Sequence, residues 1–191
     1  MKTISVQKLR GFTVLELMVT LTVVAVLVTV GVPGFQTIIA SQRSSASVND
    51  LIEGLILARS EAITRGRYIS VCKSTDGASC AGDGAAWSDG WIIFVNASAA
   101  FPATVDPGDE ILRIHQALPT PLSINASGNI DAFISFRPTG TTGTNALNFS
   151  GTLTLCEVHG NTGPRGLIVA PSGRLQVSRE QDHTGAALAC A

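Results

Sequence analysis

At 191 residues the chain has room for one ordinary domain and an additional element. Apolar residues make up 45% of it, ordinary for a globular chain, and charged residues only 14%, a low share that points to a large surface facing lipid or protein. The formal net charge of −1 gives no bulk basic field, which excludes a globally cationic nucleic-acid binder.

Residues 1–11 are short and basic, with Lys2, Lys8 and Arg10, no acid, and Gly11 at the end. Residues 14–35 are then almost wholly apolar, interrupted by threonines and by Glu16. About 22 such residues suffice to cross a bilayer core as a helix, and the basic flank predicts a cytoplasmic N-terminal side. An ordinary secretory signal would carry a small-residue cleavage site after a shorter apolar core, and none follows before Pro33. An uncleaved single-pass anchor is the remaining plain reading, and Glu16 argues against it. A carboxylate in an apolar membrane helix is costly and marks function by default. A cut between Gly11 and Phe12 would give Phe12 a new amine, with Glu16 about one helical turn away. The carboxylate could then neutralise its own or a neighbouring subunit's amine inside an apolar bundle.

The run Gly11-Phe12-Thr13-Val14-Leu15-Glu16 resembles the signature of the type IV pilin and pseudopilin family, and Pro33 falls where many members carry a kinking proline. The resemblance implies a prepilin peptidase that cleaves after Gly11 and N-methylates Phe12. It also implies storage in the inner membrane, extraction by an assembly platform, and stacking on other minor and major pilins into a filament.

The helical pattern continues beyond Pro33 and Gly34. Leu51, Leu55 and Ala58 form an apolar stripe with Ile52, Ile56 and Ile63 beside it, predicting one helix over about 13–64, kinked or locally melted near Pro33-Gly34. Gly66 supplies a helix stop. Short β runs follow, broken by Gly, Pro, Asn and Asp: 68–73, 90–96, 110–115, 122–125, 134–137, 152–157, 167–170 and 174–178. The expected architecture is α+β, with one or two small antiparallel sheets laid on the second half of the helix. Its divisions are a leader at 1–11, a transmembrane or filament-core segment at 12–35, an amphipathic helical segment at 36–66 and a periplasmic β-rich head at 67–191.

Four cysteines, Cys72, Cys80, Cys156 and Cys190, lie in the head and read as disulfides in an oxidising compartment. Three connectivities are open. Cys72–Cys80, closing a Gly-rich loop, and Cys156–Cys190, tying down the last residues, are favoured. A zinc site using Cys156 and His159 lacks tight ligand spacing at Cys72 and Cys80.

The order of features in the head is similar to that of the GspH/FimT family. An Ala-Arg-Ser-Glu-Ala run spans residues 58–62, a strand leads to Cys72, and Trp87-Ser88-Asp89-Gly90-Trp91 comes next. Asp109-Glu110, Phe136-Arg137-Pro138-Thr139-Gly140, Cys156 and Ser172-Gly173-Arg174 follow. That resemblance implies a minor pilin at or near a pilus tip that primes assembly. Its alternatives are a minor pseudopilin of type II secretion or a DNA-binding minor pilin for transformation. DNA contact would need a cationic patch, for which Arg165, Arg174 and Arg179 are the candidates. The Gly-Arg-x-Arg motif of DNA-binding members reads Gly173-Arg174-Leu175-Gln176 here, without the second arginine, and Glu180 and Asp182 add opposing charge. A solvated strand end is therefore the favoured reading of Arg174. No catalytic residue, metal site or cofactor is expected: His115, His159 and His183 lack a nucleophile at useful spacing, and the 139–143 stretch lacks the Lys of a phosphate-binding loop.

Overall fold

The computed structural model describes residues 11–190 except 83, 146 and 158–162; within the first helix the side chains of 30, 32–37 and 40 are also outside the description. The leader residues 1–10 and His159 lie outside the described residues. The chain divides into two units after Ile39.

In the first unit, Thr13 opens helix α1 (Val14–Arg65) by accepting the Glu16 N–H at 3.2 Å on its Oγ1. The helical assignment runs unbroken through Pro33 and Gly34, so the locally melted alternative is dropped. Apolar side chains from Val14 to Val28 are exposed on every side of the helix. The hydroxyls among them are satisfied internally. Thr20 donates to the Leu17 carbonyl at 2.9 Å, Thr22 to Val19 at 2.8 Å and Thr29 to Val26 at 2.9 Å. A helix that is apolar all round and has folded its hydroxyls onto its own backbone is fitted for lipid or for other helices. Among the described residues no helix is long and apolar enough to cross a membrane. The fully described apolar stretch, 14–29, rises only about 24 Å, whereas the apolar run in the sequence reaches residue 35.

In the second unit, residues 40–65 of α1 bury Ser44, Ser47, Val48, Leu51, Leu55, Ala58 and Ala62. That i, i+3, i+4, i+7 spacing is one helical face, and small residues at 44, 47, 58 and 62 let sheet side chains approach closely. Ile56 and Ile63, placed beside the stripe by the sequence, are more than half exposed. Gly66, at φ 63°, terminates the helix in the left-handed conformation expected of it.

Eight strands follow: β1 (Ile69–Lys73), β2 (Trp91–Val95), β3 (Ile111–His115), β4 (Leu122–Gly128), β5 (Phe133–Phe136), β6 (Gly151–Glu157), β7 (Arg165–Val169) and β8 (Leu175–Ser178). They form two four-stranded antiparallel sheets, ordered β3-β2-β1-β5 and β4-β6-β7-β8. The helix stripe joins Ile69, Val71, Ile93, Phe94, Ile134, Phe136, Leu153 and Leu167 in one core. The two tryptophans are structural. Trp87 is buried and donates Nε1–H to the Asp131 carbonyl at 2.7 Å, while Trp91 stacks on His115 at 3.8 Å. The disulfides join Cys72 to Cys80 and Cys156 to Cys190.

Two arginines fasten the loops. Arg59 of α1 donates Nε–H to the Gly140 carbonyl at 2.9 Å and reaches the Ser172 carbonyl, so it joins α1 to a turn from each sheet. Arg137 donates to the carbonyls of Thr142, Thr144 and Leu147 and to Asn148 Oδ1, which fixes the loop after β5. Thr142, buried in that loop, donates to the Phe149 carbonyl at 2.7 Å and lies 2.9 Å from that of Ala170.

Candidate assembly interface

Gly11, Phe12 and Thr13 are non-helical and exposed, with Phe12 at 79% of its accessible surface. Nothing lies within 4 Å of where a Cβ would sit on Gly11. The Gly11–Phe12 peptide is therefore open to a protease on both sides. Glu16 follows in the first helical turn, where the unpaired N–H groups and the helix dipole favour a negative charge. Among the described residues its carboxylate has no side-chain partner. Phe12 is four residues back, the separation of about one turn in a helix extended to include it. The spacing Thr13-x-x-Glu16 is also that of a capping box, a signal present in the sequence beyond the charge argument. These features give an acid at the mouth of an apolar helix, free to accept a cation from another chain.

The cationic candidates of the head do not form one group. Arg165 at the start of β7 donates to Ser45 Oγ of α1 at 2.6 Å. Gly166 pairs with Ser178, so Arg165 and Arg179 come side by side, and both line a hollow of about 240 Å³ with Ser41, Gly163 and Pro164. Arg174 precedes β8 at its other end, five residues from Arg179, roughly 16 Å along a strand. The structure thus brings together two of the three arginines, and one of those two is engaged by the helix.

Acidic groups in the head are bound into their own loops. Asp76, within the Cys72–Cys80 loop, is held below the usual carboxylate range by the Ser79 hydroxyl first, then by the N–H groups of Ala78 and Ser79 and the Ser74 hydroxyl. Asp182 is lowered by the hydroxyl and N–H of Thr184 and by the Ala186 N–H. Arg65 at the end of α1 is raised by Glu110 and then Glu61, at 2.6 and 2.5 Å. His115 lies 3.6 Å from Asp50 and His183 bonds Thr152, so both serve as packing and hydrogen-bonding groups. Among the described residues no cluster of three or more His, Cys, Asp or Glu could hold a metal ion.

Two family models match separate parts of the chain. A family model described as "Type II transport protein GspH" matches residues 47–173, and one described as "Prokaryotic N-terminal methylation motif" matches residues 7–32. No curated protein matches the sequence. Among solved structures, the type IV minor pilin FimU of Pseudomonas aeruginosa is similar at a TM-score of 0.50 and 22% identity, over 72% of this chain and 87% of that one. The minor pseudopilin EpsH from the type 2 secretion system of Vibrio cholerae is similar at a TM-score of 0.50 and 13% identity, over 72% of this chain and 97% of that one. At these identities the two structures speak for the fold, which is the α+β pilin fold. The family match covers about two thirds of the chain, across the helix stripe, both disulfide-bearing sheets and the Gly140 and Gly173 turns, and the chain belongs to the GspH family of type IV pilin-like proteins.

Proposed function

We propose that the chain is a minor pilin of a type IV pilus, a structural subunit placed at or near the filament tip that primes assembly. The carrying observation is the unpartnered Glu16 carboxylate, four residues after Phe12 and in the first turn of a helix apolar on every side. A prepilin peptidase cuts after Gly11 and methylates Phe12, and segment 12–35 anchors the precursor in the inner membrane with the head in the periplasm. An unpaired acid in the apolar part of a membrane helix is costly, less so near the helix end than at its centre, where insertion scales give about 2.5–3.5 kcal/mol. Meeting a neighbour's terminal ammonium removes that cost, and docking is rewarded only in the correct axial register. Pro33 and Gly34 are the proposed bending point between the lipid-facing and head-facing parts of the helix.

Glu16→Leu tests this reading. The variant should be made, cut and folded as the wild type is, while its incorporation into filaments falls at least tenfold, equivalent to about 1.4 kcal/mol of lost pairing. Normal piliation with Glu16→Leu would remove the proposal. The resemblance of the head to EpsH favours a second reading, a minor pseudopilin of type II secretion. A deletion strain separates the two: loss of surface pili supports the first, and loss of protein secretion with pili intact supports the second. DNA capture is not favoured, because Arg165 is bonded to Ser45 and Arg174 stands apart from Arg179.

A further inference from the structure

Lys73 ends β1 with only 2% of its surface exposed. Strand alternation puts it on the face shared by Ile69 and Val71, and its cross-strand neighbour on β2 is the buried Trp91. Among the described residues Lys73 has neither a carboxylate partner nor a side-chain hydrogen bond. Other buried polar side chains nearby are matched: Ser70 bonds Ser135 at 2.6 Å and also receives a hydrogen bond from Asn96. A buried ammonium with no counter-charge is expensive, and proteins normally pair such groups or coordinate them.

The ammonium is not sealed in. Among the described residues no side-chain nitrogen or oxygen is both closed to solvent and without a partner, so Lys73 Nζ opens on the space beside it. That space is a hollow of about 250 Å³ walled by Lys73, Ala86, Trp87, Ile124, Asn125 and Asp131. Two of these lining residues are tied together, because Trp87 Nε1–H donates to the Asp131 backbone carbonyl at 2.7 Å. The hollow holds several times the volume of one water molecule. It offers one cation, an amide donor on Asn125, an apolar floor of Trp87 and Ile124, and an acid that stops short of pairing with the cation.

We propose that this hollow is a binding site for a carboxylate, received by Lys73 Nζ and the Asn125 side-chain amide. A single ammonium matches a monoanion, and Asp131 in the same lining disfavours a phosphate dianion while it can accept a hydrogen bond from a donor on the same ligand. The apolar floor takes the short carbon stem behind the carboxylate. A free small acid and an acidic side chain of another polypeptide present the same group. The site does not depend on the pilus reading, since it lies wholly within the head.

Lys73 is the only lysine beyond residue 11, the others being Lys2 and Lys8, so lysine-selective labelling isolates it. The test is NMR of the full chain in detergent, labelled at lysine ¹³Cε and titrated with sodium acetate, with sodium chloride and sodium phosphate at matched ionic strength. Lys73→Met identifies the signal. Ala86→Tyr, which adds bulk to the lining of the hollow and keeps the ammonium, supplies a variant that does not alter the buried charge. The expected result is a saturable shift of the Lys73 signal with acetate and not with chloride or phosphate, abolished in Ala86→Tyr. Equal shifts with all three salts, or an acetate response that survives Ala86→Tyr, overturn the proposal. Carbodiimide coupling in whole cells then distinguishes the sources. An amide from Lys73 to another polypeptide assigns a protein carboxylate, a positive acetate titration without such a link assigns a free acid, and a link from Lys73 to Asp131 alone overturns the site.

Discussion

Replacing Gly173 with alanine perturbs a junction at which Arg59 of α1 meets a turn from each sheet. Gly173 has φ 75° and Gly140 has φ 78°, and each sits in a turn whose carbonyls meet the Arg59 guanidinium. A Cβ on Gly173 would run into the Gly140 carbonyl oxygen and lie 3.1 Å from Arg59 Nε. The left-handed conformation alone costs an alanine about 1–2 kcal/mol. The backbone clash also forces the two turns apart, weakening hydrogen bonds from a charged donor that are worth about 1.5–3 kcal/mol. The combined loss is about 3–5 kcal/mol, which lowers the melting temperature of a chain this size by roughly 10 °C. Gly163→Ala is the control, because nothing lies within 4 Å of its added Cβ and its φ is not in the left-handed region. It should stay within about 0.5 kcal/mol of the wild type. Far-UV circular dichroism of thermal unfolding in detergent measures both. A Gly173→Ala melting curve that overlays the Gly163→Ala curve refutes the proposed junction.

Other consequences follow from the same geometry. Cys190→Ser opens a loop spanning a sequence separation of 34 and should destabilise the head by about 3–4 kcal/mol, seen as a lower guanidinium midpoint, whereas the shorter Cys72–Cys80 closure is worth about 2.5 kcal/mol. The Asp76 carboxylate has a depressed pKa in the folded state, so its contribution to folding is complete above the ordinary carboxylate range and is lost only as pH falls through the lowered value. Carboxyl ¹³C titration should therefore find Asp76 still ionised at pH 3, and Ser79→Ala should move it back toward the ordinary range; a normal midpoint in the wild type contradicts the loop geometry.

Much of the fold was legible because the head is written in short β runs between turn residues. All eight predicted strands exist, and the helix ends at Gly66 because glycine alone takes φ 63° without strain. The edges were harder. β4 continues through Ala126, Ser127 and Gly128, and β7 begins at Arg165 and Gly166, because both are drawn out by pairing with β6. Small or charged residues carry no strand signal of their own, and only the partner strand supplies it. One sheet or two stayed open in the sequence, and which strands share a sheet was unreadable, since strand order is set by contacts far apart in sequence. Ile56 and Ile63 extend the apolar face beside the stripe, yet both are more than half exposed, so the buried face of the helix is narrower than the apolar one. The burial of Lys73 ran against every compositional expectation, and it is there that the sequence reading missed a candidate site. At the N-terminus the reverse held. The acid, the glycine and the apolar run stand at fixed spacing along one segment, so the proposed interface rests on local sequence and needs no tertiary contact to be recognised.

The central claim is that Glu16 is retained in an apolar helix because cleavage creates an ammonium for it to meet. Intact-mass and N-terminal peptide mass spectrometry of the protein taken from cells tests this most directly. The account predicts a chain beginning at Phe12 and carrying one added methyl group on its nitrogen. A chain that still carries residues 1–11 contradicts it.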